Sequence, residues 1–593
     1  MKSAEFKLKG VPEWLGHDPF GRPRKEDVSG NRAGITASDG TVLLTGARNS
    51  YVSFRLVVRG RGSYRVSADI PGGLETDIFR AWYHRVTSGR KTLYIPDALI
   101  PVSKNETLRL PDPDNRIKGQ KVQEFWIDIF IPGSTRPGDV SGTVKVESGK
   151  NEYEISVRIS VLKHRVPAKT TFQMDHNSYG YTAVDKYYPK SFSGIKSRRG
   201  TDTNRIRLLH HYYRIFHEHR GMFHNLGYMH SGEVGRIYRP DVRGKGRSLE
   251  LVNWQMYDRH FGPLFEGTVF KKPSPGMPGP RRPADPIWGV YAPFNPEWPA
   301  DYINWKEKGY DVEYTRGIKQ FDSHLKKKKW TRSYIEYFFN HKKRYRWFEW
   351  DGDEPKYEKD FEPIGKMGDL LHPAVKGSPV KWTYRADVSW HEKKQWEVHK
   401  DNINFYVNAG LIRWYRKEAE KTMSRKNTIM WRYGGLPSVT GPSSMILQNL
   451  FTVWSMGMTG FLPWSSIDVG DDPWFDFDGG SGGCVYPGER FGIEGPLPSI
   501  RLKIERNGMQ DIDLINTRCR NKTQHARLRN RLIARLPIST WGKMPKGIRK
   551  LPPEDWDSRN MHADHEPGAV ETRSLDPAWW SHIRKIAFGK EVR

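Results

Sequence analysis

The sequence predicts an α/β protein: a (β/α)8 TIM barrel preceded by an N-terminal β-sandwich. Three observations lead there. Up to about residue 165, apolar and polar residues alternate and no helical period appears. From about residue 170, eight strand-like runs alternate with helical patterns, as in a closed parallel barrel. Among these, the aromatic run Tyr345-Arg346-Trp347-Phe348-Glu349-Trp350 stops at Asp351-Gly352, followed by Asp353-Glu354-Pro355. Gly352 frees the backbone to bend, and Pro355 suits the first turn of a following helix. The carboxylate pair is thereby expected where a strand ends, on the catalytic rim of a barrel. Taken alone, Asp-Glu-Pro is more often simply an acidic helix N-terminus, favoured by the helix dipole.

In chain order, Tyr153, Ile155, Val157, Ile159 and Val161 alternate with Glu154, Ser156, Arg158 and Ser160, a half-buried strand. Residues 51–58, 63–69, 77–84, 122–131 and 142–146 read similarly, with Pro132-Gly133 and Pro137-Gly138 as turns. Val166-Pro167-Ala168 reads as a linker. Barrel strands are expected at 171–174, 222–228, 287–291, 345–350, 380–386, 403–407, 428–431 and 460–464. Helices are expected at 204–219, 317–341, 361–371, 411–423 and 443–456, with 232–285 as a rim insertion and 521–536 as a covering helix. The expected division is 1–165 for the sandwich, 166–520 for the barrel and 521–593 for a helical or irregular extension.

Composition narrows the function. In 593 residues there are 97 Lys+Arg against 68 Asp+Glu, a net charge of +29. That excess suits an anionic partner or surroundings, or a generally basic source proteome. Aromatic residues make up 13%, with 22 Trp, too many for a disordered chain. Cys484 and Cys519 are the only cysteines, so neither a disulfide framework nor a zinc-finger spacing is present. No apolar run is long enough to span a membrane, and the N-terminus lacks a signal-peptide core. No nucleic-acid motif occurs. Asp472, Asp476 and Asp478 lack the EF-hand spacing, the 210–219 histidines lack the zincin spacing, and Gly479-Gly480-Ser481-Gly482-Gly483 is not followed by the P-loop Lys. Neither a metal nor a cofactor is expected.

The barrel register places candidate residues at strand C-termini: Asp175, Asn177 and Tyr179; Tyr228 and His230; Asn295 and Trp298; Asp353 and Glu354; Asp387 and Trp390; Trp431 and Tyr433; and Trp464. Carboxylates, amides and indoles converging on one rim suit a sugar, with rings against C–H faces and polar groups for hydroxyls. The substrate-binding candidates are Asn177, Tyr179, His230, Asp387, Trp390, Trp431, Tyr433 and Trp464. Two ordinary glycosidase carboxylates stand about 5–9.5 Å apart on different strands. Adjacent ones better suit a mechanism in which one carboxyl donates a proton and its neighbour orients an acetamido group on the sugar, whose oxygen attacks the anomeric carbon.

The stretch resembles the Asp-Glu pair of glycoside hydrolase family 123, retaining β-N-acetylgalactosaminidases, and of the wider barrel family around it. The resemblance spans about 40–520. It includes Leu44-Thr45-Gly46-Ala47-Arg48-Asn49, Trp126 to Pro132, and Phe172-Gln173-Met174-Asp175-His176-Asn177. Most specific are Phe461-Leu462-Pro463-Trp464, Asp472-Pro473-Trp474, Tyr486-Pro487-Gly488, Gly495-Pro496-Leu497-Pro498 and Arg506-Asn507-Gly508-Met509-Gln510-Asp511. It departs at Gly352 and at Ile512-Asp513. The resemblance implies that Asp353 orients the acetamide, that Glu354 is the general acid/base, and that the enzyme is secreted or periplasmic. The expected partner is a carbohydrate, with an anionic glycan among the options. A glycan-binding protein with impaired chemistry, or a hydrolase of another glycan, is the alternative.

Overall fold

In the computed structural model, the described residues are 5–28, 34–88, 91–179, 182–226, 237–300, 306–339, 350–388, 396–397, 399–477, 482–518, 523, 527, 530, 541–542 and 577–588. The N-terminal part is a sandwich of two five-stranded sheets. One sheet orders Lys7–Val11, Ser50–Arg59, Val122–Ile131, Glu75–Ser88 and Lys91–Pro101. The other orders Val42–Arg48, Asn151–Arg165, Gly138–Ser148, Gly62–Asp69 and Leu108–Leu110. In Asn151–Arg165 the alternation works as expected: Ile155, Val157, Ile159 and Val161 enter the core and the residues between them face outward. Val122–Ile131 is buried along its whole length. Successive side chains point to opposite faces, so Phe125, Ile127, Ile129 and Ile131 fill the sandwich core. Glu124, Trp126 and Asp128 then face the barrel side, where Trp126 joins the second large core.

The barrel strands are β1 (Gln173–Tyr179), β2 (Met222–Leu226), β3 (Gly289–Tyr291), β4 (Tyr334–Tyr337), β5 (Lys381–Val388), β6 (Phe405–Asn408), β7 (Ile429–Gly434) and β8 (Gly460–Pro463). They form one eight-stranded sheet in the order β2-β1-β8-β7-β6-β5-β4-β3, and each neighbouring pair in that order is parallel. Across the remaining seam, His224 Nε2 on β2 meets the Gly289 carbonyl on β3 at 2.9 Å. The glycine that opens β8 is required by packing. A Cβ on Gly460 would stand 2.5 Å from the Trp431 ring.

Three expectations are corrected here. The fourth strand is Tyr334–Tyr337, paired directly to β3 and β5, whereas 345–349 lie outside the described residues. The helix expected at 317–341 is Lys308–Lys327. It stops because Lys329 turns left-handed (φ 62°) and the Trp330 amide returns to the Leu325 carbonyl at 2.9 Å. Glycine is the usual residue at such a stop; with lysine there, the stop signal is missing from the sequence. The insertion is also shorter than expected. Gln255–Glu266 is a barrel helix between β2 and β3, and the Pro-rich stretch after it runs beneath the strands' N-terminal ends.

The Ile500–Arg518 helix joins the two parts, and residues 500 through 515 are all buried. Arg501 binds Asp97 at 2.9 Å; Lys503 and Arg506 both bind Asp128 at 2.7 Å. Glu505 binds His176 of β1 at 2.8 Å, and Asp513 binds Arg220 at 2.6 Å. Burial would raise the Asp128 carboxyl, but Arg506 and Lys503 outweigh it and hold it well below the usual range. In the extension, Pro577–Ala587 docks on this helix: Trp580 Nε1 donates to Asp511 at 2.9 Å, and Arg584 reaches Glu13 at 2.6 Å. Of the expected helix at 521–536, most residues lie outside the described set.

Candidate active site

A layer of polar side chains fills the barrel interior, contributed by five neighbouring strands. On β1 and β2, Asp175 Oδ1 and His224 Nδ1 lie 2.6 Å apart. From β3, the Tyr291 hydroxyl donates to Asp175 Oδ2 at 3.4 Å. Arg385 of β5 donates to that same hydroxyl, to Glu336 of β4 at 3.2 Å, and to both oxygens of Asp387 at 2.8 and 3.1 Å. Asp175 and Glu336 are completely buried. Burial alone would lower the His224 imidazole, but Asp175 and then Glu336 leave it raised. Glu336 is pushed up to about 7, chiefly by burial, with Arg385 opposing and Asp175 adding.

A stability prediction follows. Because the folded-state value of Glu336 lies above its unfolded value of 4.5, its contribution is fully present below 4.5 and lost as pH rises through about 7. Glu336→Gln imitates the protonated form and escapes that loss. Its stability relative to the parent should therefore rise between pH 5 and pH 8, by on the order of 2–3 kcal/mol. Urea midpoints of both proteins at the two pH values test this, and a gap that does not change with pH overturns it.

Above this layer, the loop between β4 and the Glu358–Ala374 helix carries Asp353 and Glu354. Asp360, in the first turn of that helix and fully buried, accepts from the amides of Asp351 at 3.1 Å, Lys356 at 2.8 Å and Tyr357 at 2.7 Å. One carboxylate thus clamps the loop on both sides of the pair. Pro355 precedes the helix, which begins at Glu358 and not at the proline. The left-handed backbone falls on Glu354 (φ 58°), whereas Gly352 is not among the positive-φ residues. A non-glycine residue held there costs of order 1–3 kcal/mol and is typical of functional loops. Asp353 is 8% exposed. From the end of β7, the Tyr433 hydroxyl donates to Glu354 Oε1.

The other expected residues separate into three groups. Tyr179 stands beside the pair: burial raises its hydroxyl, and the charges of Asp353 and Asp387 raise it further. Asn177 Oδ1 accepts from the Ser465 amide at 3.0 Å, fixing the bend after β8, where Ser465 is also left-handed (φ 56°). Just before that bend, Trp464 is 47% exposed, the one large exposed indole among the described residues. These residues, with Asp387 and Tyr433, gather at the C-terminal ends of the strands. Trp431 does not join them, which corrects the expectation that it presses on a substrate. It is 0% exposed and packs 4.7 Å from Phe405 and 4.9 Å from Trp288, filling the barrel where β3, β6 and β8 begin. Trp298 is likewise buried, against Phe294, and Asn295 shapes its turn. Tyr228, His230 and Trp390 lie outside the described residues.

The whole chain superposes on a family 123 glycoside hydrolase from Clostridium perfringens, described for glycolipid glycan hydrolysis. The TM-score is 0.59 over 99% of this chain and 100% of that one, at 12% identity. The chain has the fold of a family 123 glycoside hydrolase. A putative α-galactosidase from Bacteroides fragilis (11% identity; 81% and 78% of the two chains; TM-score 0.27) overlaps more loosely. So does a β-glucuronidase from Parabacteroides merdae (9%; 86% and 52%; 0.27). No family model matches the chain, and no curated protein matches it in sequence. Within this family 123 fold, sequence reasoning missed His224, Tyr291, Glu336, Arg385 and Asp360. Glu336 was placed inside the over-long helix. His224, Tyr291 and Arg385 sit on correctly expected strands, but which face each side chain takes depends on register.

Proposed function

We propose that the chain is a retaining β-N-acetylhexosaminidase, of the N-acetylgalactosamine type, assisted by the substrate's own 2-acetamido group. The observation that carries this reading is the adjacency of Asp353 and Glu354 on one clamped loop, with Tyr433 on Glu354 and with Tyr179 within reach of the charges of both Asp353 and Asp387. The likeness in fold to a glycosidase acting on glycolipid glycans supports the same substrate class.

Glu354 begins protonated and gives its proton to the glycosidic oxygen as the C–O bond breaks. Tyr433 donates to Oε1 and so helps to orient that carboxyl. The acetamide oxygen attacks the anomeric carbon and forms a bicyclic oxazolinium. Asp353 accepts the acetamide N–H and offsets the positive charge. Glu354, now ionised, deprotonates the water that opens the ring, giving net retention. In this reading Asp387, held by Arg385, binds sugar hydroxyls, and the exposed Trp464 ring stacks on a sugar face. The test is a matched pair of β-glycosides, one with a 2-acetamido group and one with a 2-hydroxyl. Turnover of the first alone, with a retained product, is expected. Comparable rates on both, or an inverted product, overturn the proposal.

A further inference from the structure

We propose that a cavity at the N-terminal face of the barrel is a binding site for a tetrahedral oxyanion, phosphate or sulfate, free or as a monoester. The cavity encloses about 220 Å³, far above the ~10–15 Å³ that one water needs on this measure. The first residues of β1, β2, β4 and β5 line it: Gln173, Met222, Tyr334 and Lys381. It therefore opens at the end of the barrel opposite Asp353 and Glu354, and its ligand is not the glycoside.

Its wall carries five cations, Lys169, Arg220, Arg282, Arg332 and Lys381, and one carboxylate, Asp285. That carboxylate is engaged by Arg332 at 3.2 Å. Arg220 is engaged by Asp513 at 2.6 Å. Arg282 differs. Its guanidinium is held by backbone carbonyls, those of His217 and, at 3.2 Å, Ala168. Its Nε is shut off from solvent and bonds to nothing. Among the described residues no carboxylate lies within ion-pair distance of it. The acids that act on it from farther away are Glu218, Asp513 and Asp285. Glu218 is itself occupied by the Tyr51 hydroxyl at 2.7 Å and by the Arg281 amide. Burial, with Arg220 adding, lowers Arg282 to about 9. A half-buried cation whose Nε is closed off from water, and whose nearest acids are already engaged, gains from a counter-charge. A planar guanidinium beside further Arg and Lys side chains is the arrangement that oxyanions complete. Trp288 and Tyr334, with ring centroids 4.6 Å apart, line the same cavity and offer a surface for the organic part of an ester. Some of the +29 excess then has a local purpose.

The experiment is isothermal titration of the full-length protein with inorganic phosphate, inorganic sulfate and phenyl phosphate. Thermal unfolding runs in parallel at ionic strength matched with chloride. Saturable binding, and a melting temperature raised above that in chloride, are expected. Tighter binding of phenyl phosphate assigns the site to monoesters; equal binding assigns it to the free ion. Arg282→Gln should weaken binding about 10- to 100-fold, the effect of losing one charged hydrogen bond. In chloride it should melt no lower than the parent, because it removes an unbalanced charge. Should that variant not fold, Lys381→Ala, an exposed change at the same cavity, should still weaken binding several-fold. Equal effects of chloride and the oxyanions, or unchanged affinity in a folded Arg282→Gln, overturn the proposal.

Discussion

Glu354→Gln is expected to lower turnover about 10²–10⁴-fold on β-N-acetylhexosaminides with poor leaving groups, and far less on nitrophenyl glycosides. The asymmetry is diagnostic. An alkyl leaving oxygen must be protonated as it departs, whereas a nitrophenolate needs little help. Asp353→Asn should behave differently and harm both classes alike, because the acetamide must be oriented and its charge offset whatever the leaving group. The two variants share a loop whose position is set by Asp360, outside both substitutions. Loss of folding therefore does not mimic the pattern. The measurement is kcat/KM for both variants across aryl glycosides of graded leaving-group acidity. A uniform loss in Glu354→Gln would remove that residue from the acid role. A leaving-group-dependent loss in Asp353→Asn would exchange the two assignments.

The second large effect concerns stability. Asp128→Ala should cost about 3–5 kcal/mol, since it strands Lys503 and Arg506 in the interior between sandwich and barrel. Both cations are buried, and Arg506 would keep only the neutral Ser53 and Asn507 side chains as partners. Lys503, already lowered to about 8 by burial despite Asp128, would release its proton more readily. Arg506 cannot do so and accounts for most of the penalty. Chemical unfolding followed by tryptophan fluorescence reads the change. Substitution of Glu152, whose pair with Lys145 stands in solvent, is the control and should leave the midpoint unmoved. A loss below about 1 kcal/mol in Asp128→Ala would mean that this buried network is not what joins the two parts.

The alternation in Asn151–Arg165 and the strand–helix repeat were legible because each reflects a local period, which secondary structure shares with sequence. The same holds for the carboxylate pair, whose adjacency is a covalent fact. Other features were decided only in three dimensions. Tyr334–Tyr337 is four residues long with a charge in its middle, so no window of sequence marks it as a strand; its pairing to Gly289–Tyr291 and Lys381–Val388 does. Trp431 and Trp464 are the same residue type on neighbouring strands, one in the first half of β7 and the other just past the end of β8. One fills the barrel at 0% exposure and the other stands 47% exposed at the entrance. Strand length and register alone distinguish them. The charges tell the same story. Arg385, Glu336, Asp175 and His224 lie far apart in the chain and acquire meaning only when four strands bring them together. Arg282 looks like any surface arginine until its neighbours close its Nε off from water. A sequence records which groups are available. Whether a charge is paired, buried or left waiting for a ligand depends on distances that only the closed barrel sets, because electrostatic energy in an enclosed site changes steeply over a few ångströms.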